Sequence, residues 1–208
     1  MTAAEVAAFE RSIAGGGVCL FPADTVYGLA ADPESEAAVE RLYELKGRPA
    51  ERPAAVMLFA LDRALAALPS LGPRTRAALE RLLPGAVTLL VPNPERRFPL
   101  ACGPEPERLG VRVPALEGAL APLAAVRVPL LQSSANPSGG PDARRLEDVD
   151  DAIRNGADLA LDGGELPGTP STVADLTGYE EDGSFEVVRE GAVAAGRVAD
   201  LIRNGTAA

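Results

Sequence analysis

Short apolar runs cut off by proline, glycine or charge set the first limit on what this chain can fold into. Residues 18–21, 54–60, 87–91 and 129–132 are rich in Val, Leu, Phe or Met, and their length suits strands buried on both faces. Stretches with helical spacing alternate with them. Thr2 caps a helix over residues 2–14, with Glu5 at the capping-box position and Val6, Phe9 and Ile13 on one face. Ser35 caps a second, whose apolar face is Val39, Leu42, Tyr43 and Leu45, and Gly47 beyond Lys46 suits the C′ position. Further helices are predicted over 62–68, 75–83, 117–126, 146–155 and 195–203, and strands over 111–113, 159–161, 171–173 and 185–188. Ala23-Asp24-Thr25-Val26-Tyr27-Gly28 reads as a turn after the first strand, where α/β proteins place binding residues. A plain Asx turn explains it as well. With elements intermingled and no repeat or linker, the pattern predicts one domain over residues 1–208, a mixed twisted sheet with helices on both faces.

The composition excludes whole classes of chemistry. With no histidine among 208 residues, neither a Ser-His-Asp nor a Cys-His system can exist, and imidazole metal ligation is ruled out. Cys19 and Cys102 are too few for a disulfide framework or a cysteine zinc cluster. No apolar run approaches the ~20 residues of a membrane span, and the N-terminus lacks the basic and apolar regions of a signal peptide. A cytoplasmic protein with no membrane association is the expectation. The formal net charge of −10 argues against a broad grip on nucleic acid, yet allows a small cationic pocket.

Catalysis in such a chain must come from charge placement, orientation, carboxylates, lysine or a bound ion. Of 20 basic residues, Lys46 is the single lysine. It is either a helix-end cation suited to the macrodipole or a point contact for an anion. Arg112, in the middle of a short strand, needs an anionic partner if buried, either an internal Asp or Glu or a ligand carboxylate. Residues 133–140 gather small hydroxyls, Asn136 and glycines, a composition that can cradle phosphate but is common in loops without function. The Pro- and Arg-rich stretch 92–108 is long for a compact domain, which makes it a mobile or functional candidate.

Seven segments in series resemble the YrdC family of threonylcarbamoyl-AMP synthases. The first two are Phe21-Pro22-Ala23-Asp24-Thr25-Val26-Tyr27-Gly28-Leu29 and Lys46-Gly47-Arg48-Pro49. Then come Leu83-Pro84-Gly85-Ala86-Val87-Thr88, Val111-Arg112-Val113-Pro114 and Ser134-Ala135-Asn136-Pro137-Ser138-Gly139. Ser171-Thr172-Val173 and Arg189-Glu190-Gly191 complete the series.

The resemblance implies an α+β fold of three layers, α/β/α, whose mixed twisted sheet lines a concave, cation-lined ligand cavity, in the short form without an extra C-terminal domain. It implies that L-threonine, bicarbonate and ATP give threonylcarbamoyl-AMP and pyrophosphate. A separate tRNA threonylcarbamoyl transferase complex would use the product, and there is room for a weak tRNA contact. By position, Lys46 and Arg48 resemble the catalytic, phosphate-binding cations, Ser134 and Asn136 the ATP-contacting pair, and Arg189 a further nucleotide contact. Thr25, Arg112 and Ser171 resemble the L-threonine set, with Arg112 on the carboxylate. Mg2+ is expected to be held mainly by the ATP phosphates.

Several positions depart from the family pattern. Arg52 stands where Asn or His is frequent, though it could still reach a phosphate of ATP. Met57 stands where some relatives have histidine, Arg108 where a small hydroxyl residue is frequent, Asp142 where relatives often have serine near ATP, and Pro170 replaces a common acidic residue. Rival readings are a carbamoyl-adenylating domain like that of hydrogenase-maturation proteins and a nonenzymatic RNA-binding module. The acidity and the few aromatics weigh against the RNA module.

Overall fold

The computed structural model describes residues 1–47, 49 and 52–203. The strands among the described residues are β1 (Cys19–Pro22), β2 (Tyr27–Ala31), β3 (Ala55–Met57), β4 (Val87–Pro92), β5 (Arg108–Arg112), β6 (Leu130–Ser134), β7 (Leu159–Ala160), β8 (Thr172–Asp175) and β9 (Glu186–Arg189). They form one mixed sheet in the order β7-β1-β2-β6-β3-β5-β4-β8-β9. The pairs β1–β7, β3–β5 and β4–β8 are parallel and the other five antiparallel. Among the described residues eight α-helices accompany them: α1 (Ala3–Ala14), α2 (Glu36–Lys46), α3 (Leu61–Ala67), α4 (Pro73–Leu82), α5 (Pro99–Cys102), α6 (Asp151–Gly156), α7 (Tyr179–Asp182) and α8 (Ala195–Arg203).

Local chemistry accounts for the two best-defined helices. Thr2 and Glu5 close a reciprocal capping box on α1. Ser35 caps α2, and Gly47 ends it at φ 56°, where a side chain would be strained. Such caps contribute about 1 kcal/mol each.

Alternation along the strands divides the interior into two cores. Leu20, Leu29, Val56, Leu131, Val111 and Leu89 face one side and meet α2, α4 and α8 through Val39, Leu42, Leu79, Val198 and Ile202. Cys19, Phe21, Ala30, Met57 and Leu130 face the other and meet Val6, Phe9 and Ile13 of α1 and Leu123. Phe21 there lies 5.7 Å from Phe9 and 6.5 Å from Phe59 between ring centroids. Each such ring contributes roughly 2–3 kcal/mol by burial. The first core runs under strands from β1 to β8; the second reaches only as far as β3. Among the described residues, the β5, β4 and β8 end of that second face has no apolar cover.

Four sequence expectations change. Tyr27 and Gly28 open a strand rather than finish a turn, since β2 is buried at every position and shows no alternation. The strand expected over 54–60 shortens to β3, and a bend at 59–60 leads into the helix that starts at Leu61. Residues 118–125 form a 3-10 helix containing Pro122, whose missing N–H is poorly suited to an α-helix interior. The helix expected over 146–155 splits into a 3-10 turn (Leu146–Asp148) and α6, the latter capped by Asp150.

Candidate active site

The uncovered half of the second sheet face is a cleft of about 260 Å³. Residues two apart on each strand form its floor. β5 sends Arg108, Gly110 and Arg112, β4 sends Thr88 and Leu90, and β6 sends Gln132 and Ser134; Ala55, Val173 and Arg189 come from β3, β8 and β9. Gln132, Ala55, Gly110 and Leu90 stand in register as one row across four strands. Gly110 keeps that row deep, since a Cβ there would lie 3.3 Å from the Ala55 Cα. Val26, Pro53, Cys102, Asp142, Pro170 and Ser171 help to form the walls. Burial pushes the Cys102 thiol pKa up, which makes it a poor nucleophile.

At one corner Arg112 is 3% exposed. Its Nη2 donates to Asp24 Oδ1 and, at 2.6 Å, to Thr25 Oγ1. Asp24 Oδ2 accepts the Ala115 N–H at 2.9 Å. Burial holds the guanidinium below its ordinary pKa, while Asp24 draws it back up and Arg189 adds to the lowering. The anion that a buried in-strand arginine demands is therefore internal. One donor is left over: the Arg112 Nε is buried with no hydrogen-bond partner among the described residues.

Beside it, Ser171 Oγ and Thr88 Oγ1 are 2.8 Å apart. Arg189 Nη2 donates to the Ser171 carbonyl at 2.7 Å and to its hydroxyl at 3.4 Å. Arg108 is shared between Glu105 at 2.8 Å and Asp175 at 3.3 Å.

The third cluster is the loop after β6. Lys46, 3% exposed, donates to the Ser134 carbonyl, to Asn136 O at 2.7 Å and to Asn136 Oδ1 at 3.0 Å. Its own carbonyl accepts the Ser138 N–H at 2.9 Å. Ser134 Oγ donates to Asn136 Oδ1 at 2.6 Å, and Asn136 Nδ2 donates to Gly140 O at 2.6 Å. Helix-end geometry thus sends the Lys46 ammonium under the loop, where it holds Ser134 and Asn136.

Ser134, Arg112, Ser171 and Arg189 of the expected residues line the cleft, while Thr25, Asn136 and Lys46 hold lining residues or their loop from behind. Arg52 is exposed at the approach to β3, its carbonyl accepting the Tyr43 hydroxyl at 3.1 Å. Arg48 lies outside the described residues. Sequence reasoning passed over Thr88 and Gln132 as lining residues, and Asp24 as the partner of Arg112. The hydroxyl inside an otherwise apolar strand was a usable signal for Thr88.

The long stretch 92–108 is closed around one side chain rather than left as an open loop. Asn93, 1% exposed, donates to the Arg97 and Pro106 carbonyls at 2.9 Å each, and accepts the Arg97 N–H at 2.9 Å. Phe98, Ala101 and Cys102 are buried beneath it.

The profile of the Sua5/YciO/YrdC family, described as "Telomere recombination", matches residues 11–191. A threonylcarbamoyl-AMP synthase of Pyrococcus abyssi is 33% identical over 163 residues, covering 78% of this chain and 48% of that protein. One from Xanthomonas euvesicatoria pv. vesicatoria is 33% identical over 177 residues, covering 84% of this chain and 91% of that protein. The chain thus spans about half the length of the first relative and most of the second. The crystal structure of P. abyssi Sua5 complexed with L-threonine superposes with a TM-score of 0.85 at 28% identity, covering 98% of this chain and 58% of that one. With its profile matched from the end of α1 past β9 and its sheet superposing on a member's, the chain belongs to the Sua5/YciO/YrdC family.

Proposed function

We propose that this chain is an L-threonylcarbamoyladenylate synthase, converting L-threonine, bicarbonate and ATP to threonylcarbamoyl-AMP and pyrophosphate. The observation that carries the reading is the cleft itself. Its described lining holds three arginines and several hydroxyls against one carboxylate, and a buried guanidinium there keeps an unused donor. Two anions must meet in this reaction, so fixed positive charge is the main requirement. A cation at about 4 Å contributes roughly 4 kcal/mol at an effective dielectric near 20.

The chemistry follows from the donors. The threonine nitrogen adds to the carbon of bicarbonate-derived carbon dioxide and loses a proton, leaving an N-carboxylate. A carboxylate oxygen then attacks the α-phosphorus of ATP, the bond to the bridging oxygen breaks, and pyrophosphate carries away the electron pair. Arg112 binds the threonine carboxylate, oriented by Asp24 and Thr25, and the Ser171–Thr88 hydroxyls meet the amino acid beside it. Arg189 and the Ser134–Asn136 loop, held by Lys46, receive the nucleotide phosphates, and Arg48 and Arg52 are assigned as further phosphate contacts by their place in the sequence motif. Alignment of the N-carboxylate with the α-phosphate is the entropic part of the task.

Magnesium is tested by the donors present. Among the described residues no group of three His, Cys, Asp or Glu side chains is placed to hold a metal ion. The cleft offers Asp142 with the hydroxyls of Thr88, Ser134 and Ser171. One carboxylate combined with substrate phosphates is a set that Mg2+ accepts, so the residues fit an ion carried in on ATP. When bound it would neutralise phosphate charge.

The product would pass to a transferase complex acting on tRNA in the cytoplasm. No helix among the described residues is long and apolar enough to cross a membrane. Purified protein should release pyrophosphate from ATP only when both L-threonine and bicarbonate are supplied; equal release without threonine would sink the assignment. Lys46→Ala should lower that turnover at least ~100-fold by freeing the phosphate loop.

A further inference from the structure

We propose that Asp142 is the protein's ligand for the divalent cation that accompanies the nucleotide, and that it makes nucleotide binding depend on that cation. The inference rests on the nucleotide reading above. Asp142 is the one carboxylate among the described residues lining a cleft that also presents Arg108, Arg112 and Arg189. Those arginines and the orphaned Arg112 Nε mark the cleft as a receptor for anions. A carboxylate in such a receptor opposes its ligand unless a cation stands between them.

The surroundings leave Asp142 free for that task. It accepts a 3.3 Å bond from Asn136 Nδ2 and forms no ion pair with a described residue. Asn136 is fixed in turn, by Lys46 and Ser134 on its oxygen and by Gly140 on its nitrogen. The carboxylate is therefore held beside the phosphate loop by a neutral amide, without having its charge cancelled. A hard oxygen at the edge of a polyphosphate site, next to hydroxyls, is the donor a small divalent cation takes in addition to phosphate oxygens.

Calorimetric titration of ATP into wild type, Asp142→Asn and Asp142→Glu, each with excess Mg2+ and with EDTA, tests the idea. Wild type should bind ATP at least ~10-fold more tightly with Mg2+. Asp142→Asn, which keeps an oxygen for Asn136, should lose most of that gain and bind metal-free ATP more tightly than wild type. Asp142→Glu should keep most of the gain. Mn2+ as a probe should give a paramagnetic resonance spectrum of the protein–ATP complex that Asp142→Asn alters. An unchanged metal gain in Asp142→Asn, or metal-free ATP bound no more tightly, overturns the proposal alone. The same holds if the variant loses threonine affinity while keeping the metal gain. Failure of wild type to bind ATP in either condition overturns the nucleotide reading with it. Tighter metal-free binding cannot arise from a misfolded variant.

Discussion

Two halves of one sheet face meet along β3 and β6 and have opposite fates. On β3, Met57 enters the dry core under α1 while Ala55, two residues earlier, floors the cleft. On β6, Leu130 is dry and Gln132 and Ser134 are in the cleft. Backbone, register and sheet are shared, so the difference lies in side-chain volume and in the cover. Phe9, Phe21, Met57 and Leu130 fill one half to van der Waals contact. Gly110 and Ala55 leave the other half deep, and Arg112 and Thr88 give it polar edges. A binding site here is a core left unfilled on purpose, lined by the same period-2 set that elsewhere makes a core.

The contrast can be broken hardest at Asp24. Arg112 and Asp24 form a pair with side chains 4% and 7% exposed, and removing one partner strands the other charge. Asp24→Ala should cost about 3–5 kcal/mol in urea unfolding, whereas Asp24→Asn should recover part of it. A loss under ~1 kcal/mol would mean that Arg112 is solvated and that this half is wetter than described. Filling the cleft is the complementary change. Gly110→Val should lower pyrophosphate release at least ~100-fold by obstructing the floor, with a stability change of only about 1–3 kcal/mol from crowding Ala55. If activity survives, substrates do not use this row. The smallest effect is expected at Thr88→Val, which keeps shape and removes the hydroxyl facing Ser171. Threonine should bind about 5-fold more weakly, near the worth of one hydrogen bond, with ATP affinity unchanged by calorimetry.

What could be read from the sequence was mostly local. The capping box on α1 and the Ser35 and Gly47 ends of α2 are decided within a few residues, and they stand as expected. β2 escaped because a strand buried on both sides shows no alternation, and its Gly28 reads as a turn residue. The need of Arg112 for an anion was legible from charge alone. Its partner was not, because Asp24 lies 88 residues away and only the sheet joins them. Lys46 was singled out by its rarity, yet rarity says nothing of direction; α2 geometry sends its ammonium beneath the loop rather than into the cleft. The stretch 92–108 read as a long loop because nothing in its sequence marks Asn93 as its centre.

The strand order has a consequence for the chain while it is being made. Thr88 on β4 waits for Val173 on β8, and Val173 for Arg189 on β9, so the cleft is assembled from pieces synthesised far apart. A nascent chain carrying everything up to β6 has Arg112, Thr25, Ser134 and Lys46 in hand, but neither Ser171 nor Arg189. Long-range pairing of this kind is slow to form. Substrate should therefore give no protection to a ribosome-bound intermediate until β9 has emerged, and from then on it should protect the whole cleft at once.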